Sequence, residues 1–284
     1  MTQLTTADVS AIVCTMNSIS GIQKCLDSLR EANVGQLIVV DAHSTDGTAE
    51  IAQEKADRVI QDPGLGLGAA RNMGIAHTSA TLILNMGSDN VMPPGELEKM
   101  IRYLQVGNYQ GVSAQTRVMG NGQVANGLNV WRSGRFPAGE RAVIGTPTLF
   151  EGDVLRSHPY DPARRFSDDS ELCERWSNEF QATFAISDAV CLEVGKTSWR
   201  EVQIRAKMYG VSDNEVFKNG TLHGWGVRRK LKSLAHPFAS DFVIPAQKSH
   251  FGDSLRALPL LGFFTVNRYL AWANSAIKDV QQKT

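Results

Sequence analysis

The chain has 284 residues, enough for one large domain or two small ones, and a chain of this size buries roughly three quarters of its unfolded surface without staples. Lys plus Arg number 29 and Asp plus Glu number 29, a formal net charge of zero, which argues against bulk electrostatic binding to nucleic acid. The start MTQLTTADVS lacks a basic region ahead of an apolar stretch, so no signal peptide is read there, and no apolar run is long enough to span a bilayer.

Strand and helix patterns alternate through the first hundred residues. The apolar run Val9–Cys14 reads as a buried strand, and Ile22, Leu26 and Leu29 sit at helical spacing within residues 20–31. Leu37–Val40 is a second buried strand ending at Asp41, followed by a helix over Thr45–Lys55 with Asp46 near its start. A short third strand, Arg58–Ile60, leads into the glycine-rich loop Gly64–Gly68 and a helix over Ala69–His77. Thr81–Asn85 is a fourth strand, then comes the polar turn Gly87–Asn90, and Pro93 and Pro94 open a helix to about Leu104. Such alternation predicts a parallel sheet covered by helices, with a ligand site beyond the carboxyl ends of the strands. From Gly107 to Arg141 the pattern weakens, and its glycines and asparagines suggest long loops or irregular strands. Val143–Phe150 is a strand candidate, and Asp168–Asn178, Trp199–Tyr209 and Asn214–Phe217 look helical. The tail, Ser254–Gln282, reads as one or two helices. Cys14, Cys25, Cys173 and Cys191 form no CxxC pair and read as small buried hydrophobes suited to a reducing cytosol.

Several polar residues fall at the predicted strand ends. Asp89, in GSDN, is placed to hold a hard divalent cation together with a diphosphate, or to cap the turn that follows. Asp41 suits ligand contact or turn stabilisation equally, whereas Thr45 and Asp46 read mainly as a helix cap. In DPGLGLGAARN, Gly64, Gly66 and Gly68 permit close backbone approach to a ligand, and Arg71 adds a charge that suits phosphate or a base edge. A dinucleotide-binding loop competes for this segment, but its spacing is GxGxG and it follows the third strand. Asp168 and Asp169 open a helix, where the dipole favours carboxylates and where one of them is placed to act as a general base.

Taken together, VSAIVCTMNS, LIVVDAHSTDGTAEIA, GLGAARNMGIA, LILNMGSDNVMPPGEL and GTPTLFEGDVLRSHPYDPARRFSDDSELCERW resemble the family 2 glycosyltransferases of GT-A fold, strongly over residues 9–105 and less so over 143–217. The resemblance implies an α/β, Rossmann-like three-layer α/β/α domain over residues 1–220, with a mixed, mainly parallel central sheet. Its donor half would be 9–105 and its acceptor half 106–220, with a C-terminal helical extension over 221–284. It implies a hexosyltransferase-type enzyme that inverts the anomeric centre. The donor would be a UDP- or GDP-sugar, and the acceptor a hydroxyl on a glycan, a lipid-linked carrier or a small molecule. Carried over residue by residue, Thr15, Asn17, Asp41, Gly68, Arg71, Ser88 and Asp89 fall on the donor side. Asp89 matches the last Asp of the DxD motif, the ligand for Mn²⁺ or Mg²⁺. Asp169 matches the catalytic base, with Asp168 in the preceding acidic slot. The first Asp of DxD is Gly87 here, which puts metal affinity in question and makes His223 a candidate extra ligand.

Trp131, Arg132 and Arg135 fall in the irregular region, where they would frame an acceptor pocket or pack a loop. The basic run Arg228, Arg229, Lys230 and Lys232 precedes the apolar LPLLGFF; the pair suits either peripheral contact with an anionic membrane through the tail or a core or homodimer helix. The expected location is cytoplasmic, or peripheral at the inner face of the membrane. Two rivals stand beside the main reading: a sugar-nucleotide binder that has lost turnover, and a Rossmann-type oxidoreductase.

Overall fold

The computed structural model describes residues 3–62, 64–162, 168–195, 197–222 and 224–281. The chain divides into two compact units, one formed by Met1–Arg117 with Ala138–Gly195 and the other by Val118–Pro137 with Lys196–Thr284.

The first unit is built on a mixed sheet, which has nine strands among the described residues. In chain order these are β1 (Val9–Thr15), β2 (Gln36–Asp41), β3 (Arg58–Gln61), β4 (Leu82–Gly87), β5 (Asn90–Val91), β6 (Gly111–Val118), β7 (Gly139–Arg141), β8 (Thr148–Glu151) and β9 (Phe184–Glu193). The spatial order is β3-β2-β1-β4-β8-β6-β9-β5, with β7 paired to β9. Strands β3, β2, β1 and β4 run parallel, whereas β8 pairs antiparallel with β4 and β6, and β9 pairs antiparallel with β5 and β7. The chain steps outward from β1 to β3 and returns on the other side as β4, so the order reverses between β1 and β4. Such a reversal opens a crevice at the carboxyl ends of the strands.

The pleat explains why both faces of this sheet are apolar. Ala11, Val13, Leu37, Val39, Leu82 and Leu84 point to one face. There they meet Cys25, Leu26 and Leu29 of α1 (Ile22–Glu31) and Leu97, Met100 and Leu104 of α4 (Glu96–Gly107). The alternate residues Ile12, Ile38, Val40 and Ile83 meet Ala70 and Ile75 of α3 (Leu67–Ile75) and Leu172, Cys173 and Trp176 of α7 (Asp168–Phe180) on the other face. A strand covered on both faces reads as a continuous apolar run, which is the pattern of β1, β2 and β4. Two short helices, α2 (Thr48–Lys55) and α6 (Gly152–Ser157), complete this unit. The cysteines are free; burial pushes the Cys14 and Cys173 thiols up to about 12, so they pack as thiols.

The second unit is helical. It contains α5 (Gln123–Arg135), α8 (Trp199–Leu222), α9 (Val227–Phe238), α10 (Ile244–Lys248) and α11 (Phe251–Gln281), with a π turn at Ala239–Val243. Here the expected irregular stretch is corrected: residues 111–118 form a strand and 123–135 a helix. Two glycines of this stretch, Gly127 and Gly134, are close-approach positions. A Cβ on Gly127 would lie 2.7 Å from Leu260 Cβ, and one on Gly134 would lie 2.4 Å from Pro245 Cα. Asn129 accepts from the Val118 amide at 2.8 Å and donates to the Val118 carbonyl at 3.1 Å, so its amide replaces a strand partner. The separate helices expected over 199–209 and 214–217 are one helix, α8.

Leu260, Leu261 and Phe264 of LPLLGFF are fully buried core residues, so the expected membrane contact through that segment is not open to these three, whereas Leu258 is exposed. Trp131 is buried beside Phe264, at a ring separation of 5.0 Å, and donates to Asp241 Oδ1 at 3.1 Å. This corrects its expected place in an acceptor pocket, because an indole 1% exposed in the helical core cannot line one.

Asp241 is the polar centre of this core. Its carboxylate is 0% exposed and accepts from Trp131, Arg135, Ser240 and, at 2.5 Å, Arg268. Arg268 is also held in a fork by Asp213, at 2.6 and 2.7 Å. Removing one partner of a buried pair leaves the other charge uncompensated. Asp241→Ala is therefore expected to cost about 3–5 kcal/mol in denaturant unfolding of the helical unit; unchanged stability would show that the network contributes little.

Candidate active site

The carboxyl ends of β1, β2 and β4 lie side by side, because Thr15 is in register with Asp41 and Cys14 with Gly87. Side chains lock the loops that leave these strands. Asn17, with a φ of 49°, donates its backbone amide to Ser44 Oγ at 2.9 Å and accepts from the Thr45 amide at 2.9 Å. Asp46 accepts from the amides of Ile19 and Thr48 at 3.1 Å each, so it ties the first residue of α2 to the first loop, while Gly47 is the N-cap. Ser88 Oγ donates to Ser18 Oγ at 2.9 Å, which joins the turn after β4 to the same loop.

At the centre of this arrangement two buried polar atoms lack partners among the described residues. One is Thr15 Oγ1 and the other Asp41 Oδ1, on paired residues only 5% and 3% exposed. Asp41 Oδ2 is satisfied, since it accepts from the Ser44 amide at 3.0 Å. Unsatisfied polar atoms this deeply buried are costly, and a pair of them at adjacent strand ends points to a polar ligand that completes their hydrogen bonds.

The oxygens of the GSDN turn crowd position 87: a Cβ there would lie 2.8 Å from Asn90 Oδ1 and 2.9 Å from Asp89 Oδ1, so a side chain would require these two side chains to shift. The turn is pinned from behind: the Asp89 carbonyl accepts from the Val194 amide at 2.8 Å, and Gly21 packs closely against Ser88 and Asp89. Among the described residues there is no group of three or more His, Cys, Asp or Glu side chains able to hold a metal by themselves. His223, the expected extra ligand, lies outside the described residues. A single carboxylate such as that of Asp89 is a donor type that hard divalent cations accept when a diphosphate and water supply the remaining oxygens.

The acidic pair is held by Arg71. Its Nη1 donates to Asp168 Oδ2 at 2.6 Å and to Asp169 Oδ1 at 2.7 Å, and its Nη2 donates to Thr146 Oγ1 at 2.5 Å. The sequence assigned Arg71 to the ligand; here its guanidinium, 5% exposed, is engaged by the protein's own carboxylates. The two carboxylates differ in access: the Asp169 side chain is 21% exposed and that of Asp168 9%. Burial raises the Asp169 carboxyl above its ordinary value of 3.8 and Asp168 adds to the rise, while Arg71 and a hydrogen bond from Tyr160 pull it back. Gly64 and Gly66 take positive φ angles of 76° and 118° in the loop that delivers α3, and Gly68 is buried one residue inside that helix.

Four participants, Tyr160, Asn72, Asn85 and Thr146, were not singled out from the sequence. Tyr160 is fully buried; its hydroxyl donates to Asp169 Oδ1 at 3.3 Å and accepts from Asn85 Nδ2 at 3.1 Å, and its ring lies 5.0 Å from the Arg71 guanidinium carbon. Asn72 clamps the Tyr160 backbone, accepting from its amide at 3.0 Å and donating to its carbonyl at 2.7 Å. Asn85 was readable only as one polar residue in the apolar run LILNMG, and nothing local marks Tyr160 or Thr146.

Comparisons with known proteins bear on the family and the fold. The profile of glycosyl transferase family 2 matches residues 10–157. The putative glycosyltransferase EpsH of Bacillus subtilis is 35% identical over 104 residues, which are 34% of this chain and 30% of that protein. The chain spans 30–35% of the length of the first curated relatives it matches. Among solved structures, the mannosyltransferase PcManGT from Pyrobaculum calidifontis, in complex with GDP-Man and Mn²⁺, superposes with a TM-score of 0.63 at 16% identity, over 98% of this chain and 88% of that one. The S. aureus TarS 1–349 structure in complex with UDP-GlcNAc gives 0.52 at 14% identity, over 96% and 92%. These likenesses place the α/β architecture among GT-A folds. With the family profile covering more than half of its length, the chain belongs to glycosyl transferase family 2.

Proposed function

We propose that this glycosyltransferase takes a sugar from a UDP- or GDP-sugar and passes it, with inversion, to an acceptor hydroxyl. The observation that carries the donor assignment is the orphaned pair Thr15 Oγ1 and Asp41 Oδ1, which would hydrogen-bond the nucleoside at the crevice between β1 and β4. Asn17 and Ser88 would form the walls, and Gly68 would keep the start of α3 close to the ligand. Complexes of the structural neighbours with GDP-Man and UDP-GlcNAc support a nucleotide sugar, and the Mn²⁺ bound by PcManGT supports a divalent metal. Asp89 would hold that metal, which when bound neutralises charge on the diphosphate as a Lewis acid.

Asp169 is the proposed base, being the more exposed member of the acidic pair. Its carboxylate takes the proton from the acceptor hydroxyl as that oxygen bonds to the anomeric carbon. The bond from that carbon to the diphosphate oxygen breaks, and the nucleoside diphosphate leaves with the bonding electrons. Arg71 keeps Asp169 ionised and aimed, Asp168 completes the charge balance around the guanidinium, and Tyr160 fixes the Asp169 oxygen. A carboxyl raised by burial is a better proton acceptor than one in water, provided a cation keeps it from being neutral at working pH. Hexosyl specificity belongs to the same proposal and follows from the family resemblance.

Asp169→Asn should leave donor binding intact in calorimetry while transfer falls by at least roughly a hundredfold; full activity removes Asp169 from the role. Tyr160→Phe deletes a hydrogen bond that favours the Asp169 carboxylate, so the residue should need a higher pH to ionise. The acid limb of the kcat/KM profile is then expected to move to higher pH, and a limb that stays put or moves down argues against Tyr160 acting through Asp169. Asp89→Asn should abolish the extra rise in melting temperature that Mn²⁺ gives to UDP or GDP binding, because a ligand stabilises only the state it binds. Persistence of that increment would place the metal elsewhere.

A further inference from the structure

Helix α9 presents a surface that the proposed reaction does not use. Its sequence, VRRKLKSLAHPF, holds Arg228, Arg229, Lys230 and Lys232 and no acidic residue, in a chain whose formal charges sum to zero. Val227, Leu231, Leu234 and Phe238 follow one another at spacings of four, three and four, which puts them on one side of a helix. In a helix packed by its apolar face these would be the buried residues. Here they are 75%, 61%, 43% and 50% exposed. The side turned toward the protein carries Lys230 and Ser233, both half-buried, and the buried Pro237.

The helix is held in this orientation by built contacts. Pro237 interrupts the helix hydrogen bonding, and the Tyr269 hydroxyl of α11 fills the neighbouring step, accepting from the Phe238 amide at 3.3 Å and donating to the Leu234 carbonyl at 2.7 Å. Phe238 stacks on Phe242 at 5.5 Å. At the head of the helix Trp225 packs over Gly220, with the Arg229 guanidinium carbon 4.8 Å from its ring.

We infer that α9 is a membrane-docking helix, which lays Val227, Leu231, Leu234 and Phe238 into the headgroup boundary of an anionic bilayer while its basic residues meet lipid phosphates. An amphipathic helix with cationic residues beside an apolar stripe lies in the plane of an interface. The charge selects the partner: four cations without an anion complement an acidic lipid surface, and each contributes roughly a fivefold gain in binding there. No helix among the described residues is long and apolar enough to cross a membrane, and docking by α9 needs none. The buried Leu260, Leu261 and Phe264 have no part in it.

Flotation of the full chain tests this, with vesicles of phosphatidylcholine alone and of phosphatidylcholine containing phosphatidylglycerol. The wild-type chain should float only with the anionic vesicles, and less so as salt is raised. Val227→Glu with Leu231→Glu, and separately Arg228→Glu with Lys232→Glu, should each lower the bound-to-free ratio at least about tenfold. Both pairs are exposed, so circular dichroism and melting temperature should stay at wild-type values; if the apolar pair unfolds the chain, the charge pair decides. Failure to float with anionic vesicles, equal binding to neutral ones, or full binding by the charge-reversed variant overturns the inference. So does a wild-type dimer, seen by light scattering, that the apolar double variant converts to monomers, since the face then belongs to a second copy.

Discussion

One buried cation organises the first unit. Arg71 stands on α3 with its guanidinium out of solvent, and such a charge is tolerated only where carboxylates and further acceptors surround it. Asp168 and Asp169 at the start of α7 provide the charge, and Thr146 and the face of Tyr160 complete the shell. The pairing joins residues almost a hundred positions apart, so it cannot form until the sheet has brought α3 and α7 to the same face. The same contact sets the chemistry of Asp169: burial alone would favour the neutral acid, and Arg71 opposes it.

The crevice follows from strand order. Parallel pairing of β1 with both β2 and β4 puts Thr15 beside Asp41 and Cys14 beside Gly87. Short polar side chains then stitch the three loops together, Asn17 to Ser44 and Thr45, Asp46 to Ile19, and Ser88 to Ser18. This stitching consumes most of the polar groups at the strand ends. The two atoms left over, on Thr15 and Asp41, therefore carry information about a ligand in a way that the satisfied ones do not.

The helical unit applies another rule: glycine where helices touch, and charge networks where they cross. Gly127 and Gly134 let α5 meet Leu260 and Pro245 at distances that any side chain would forbid. Asp241, carried on a π turn, collects Trp131, Arg135 and Arg268. Helix α9 departs from this economy, because it leaves its apolar stripe outside.

The sequence by itself determined the alternation of β1 to β4 with α1 to α4, because strands buried on both faces read as unbroken apolar runs and the helices between them keep a 3.6-residue period. It also marked Asp41, Asp89, Asp168 and Asp169 as chemically meaningful, through their places after a strand or at the head of a helix. It misread 107–141, since a glycine that serves close helix contact looks the same in a sequence as one that serves a turn. It placed Trp131 at a pocket, since a tryptophan in a polar stretch does not reveal that a helix will carry it inward. Only the tertiary structure decided that Arg71 faces two carboxylates and that Tyr160 reaches Asp169. These depend on atoms brought together from distant parts of the chain, and no local pattern encodes such a meeting.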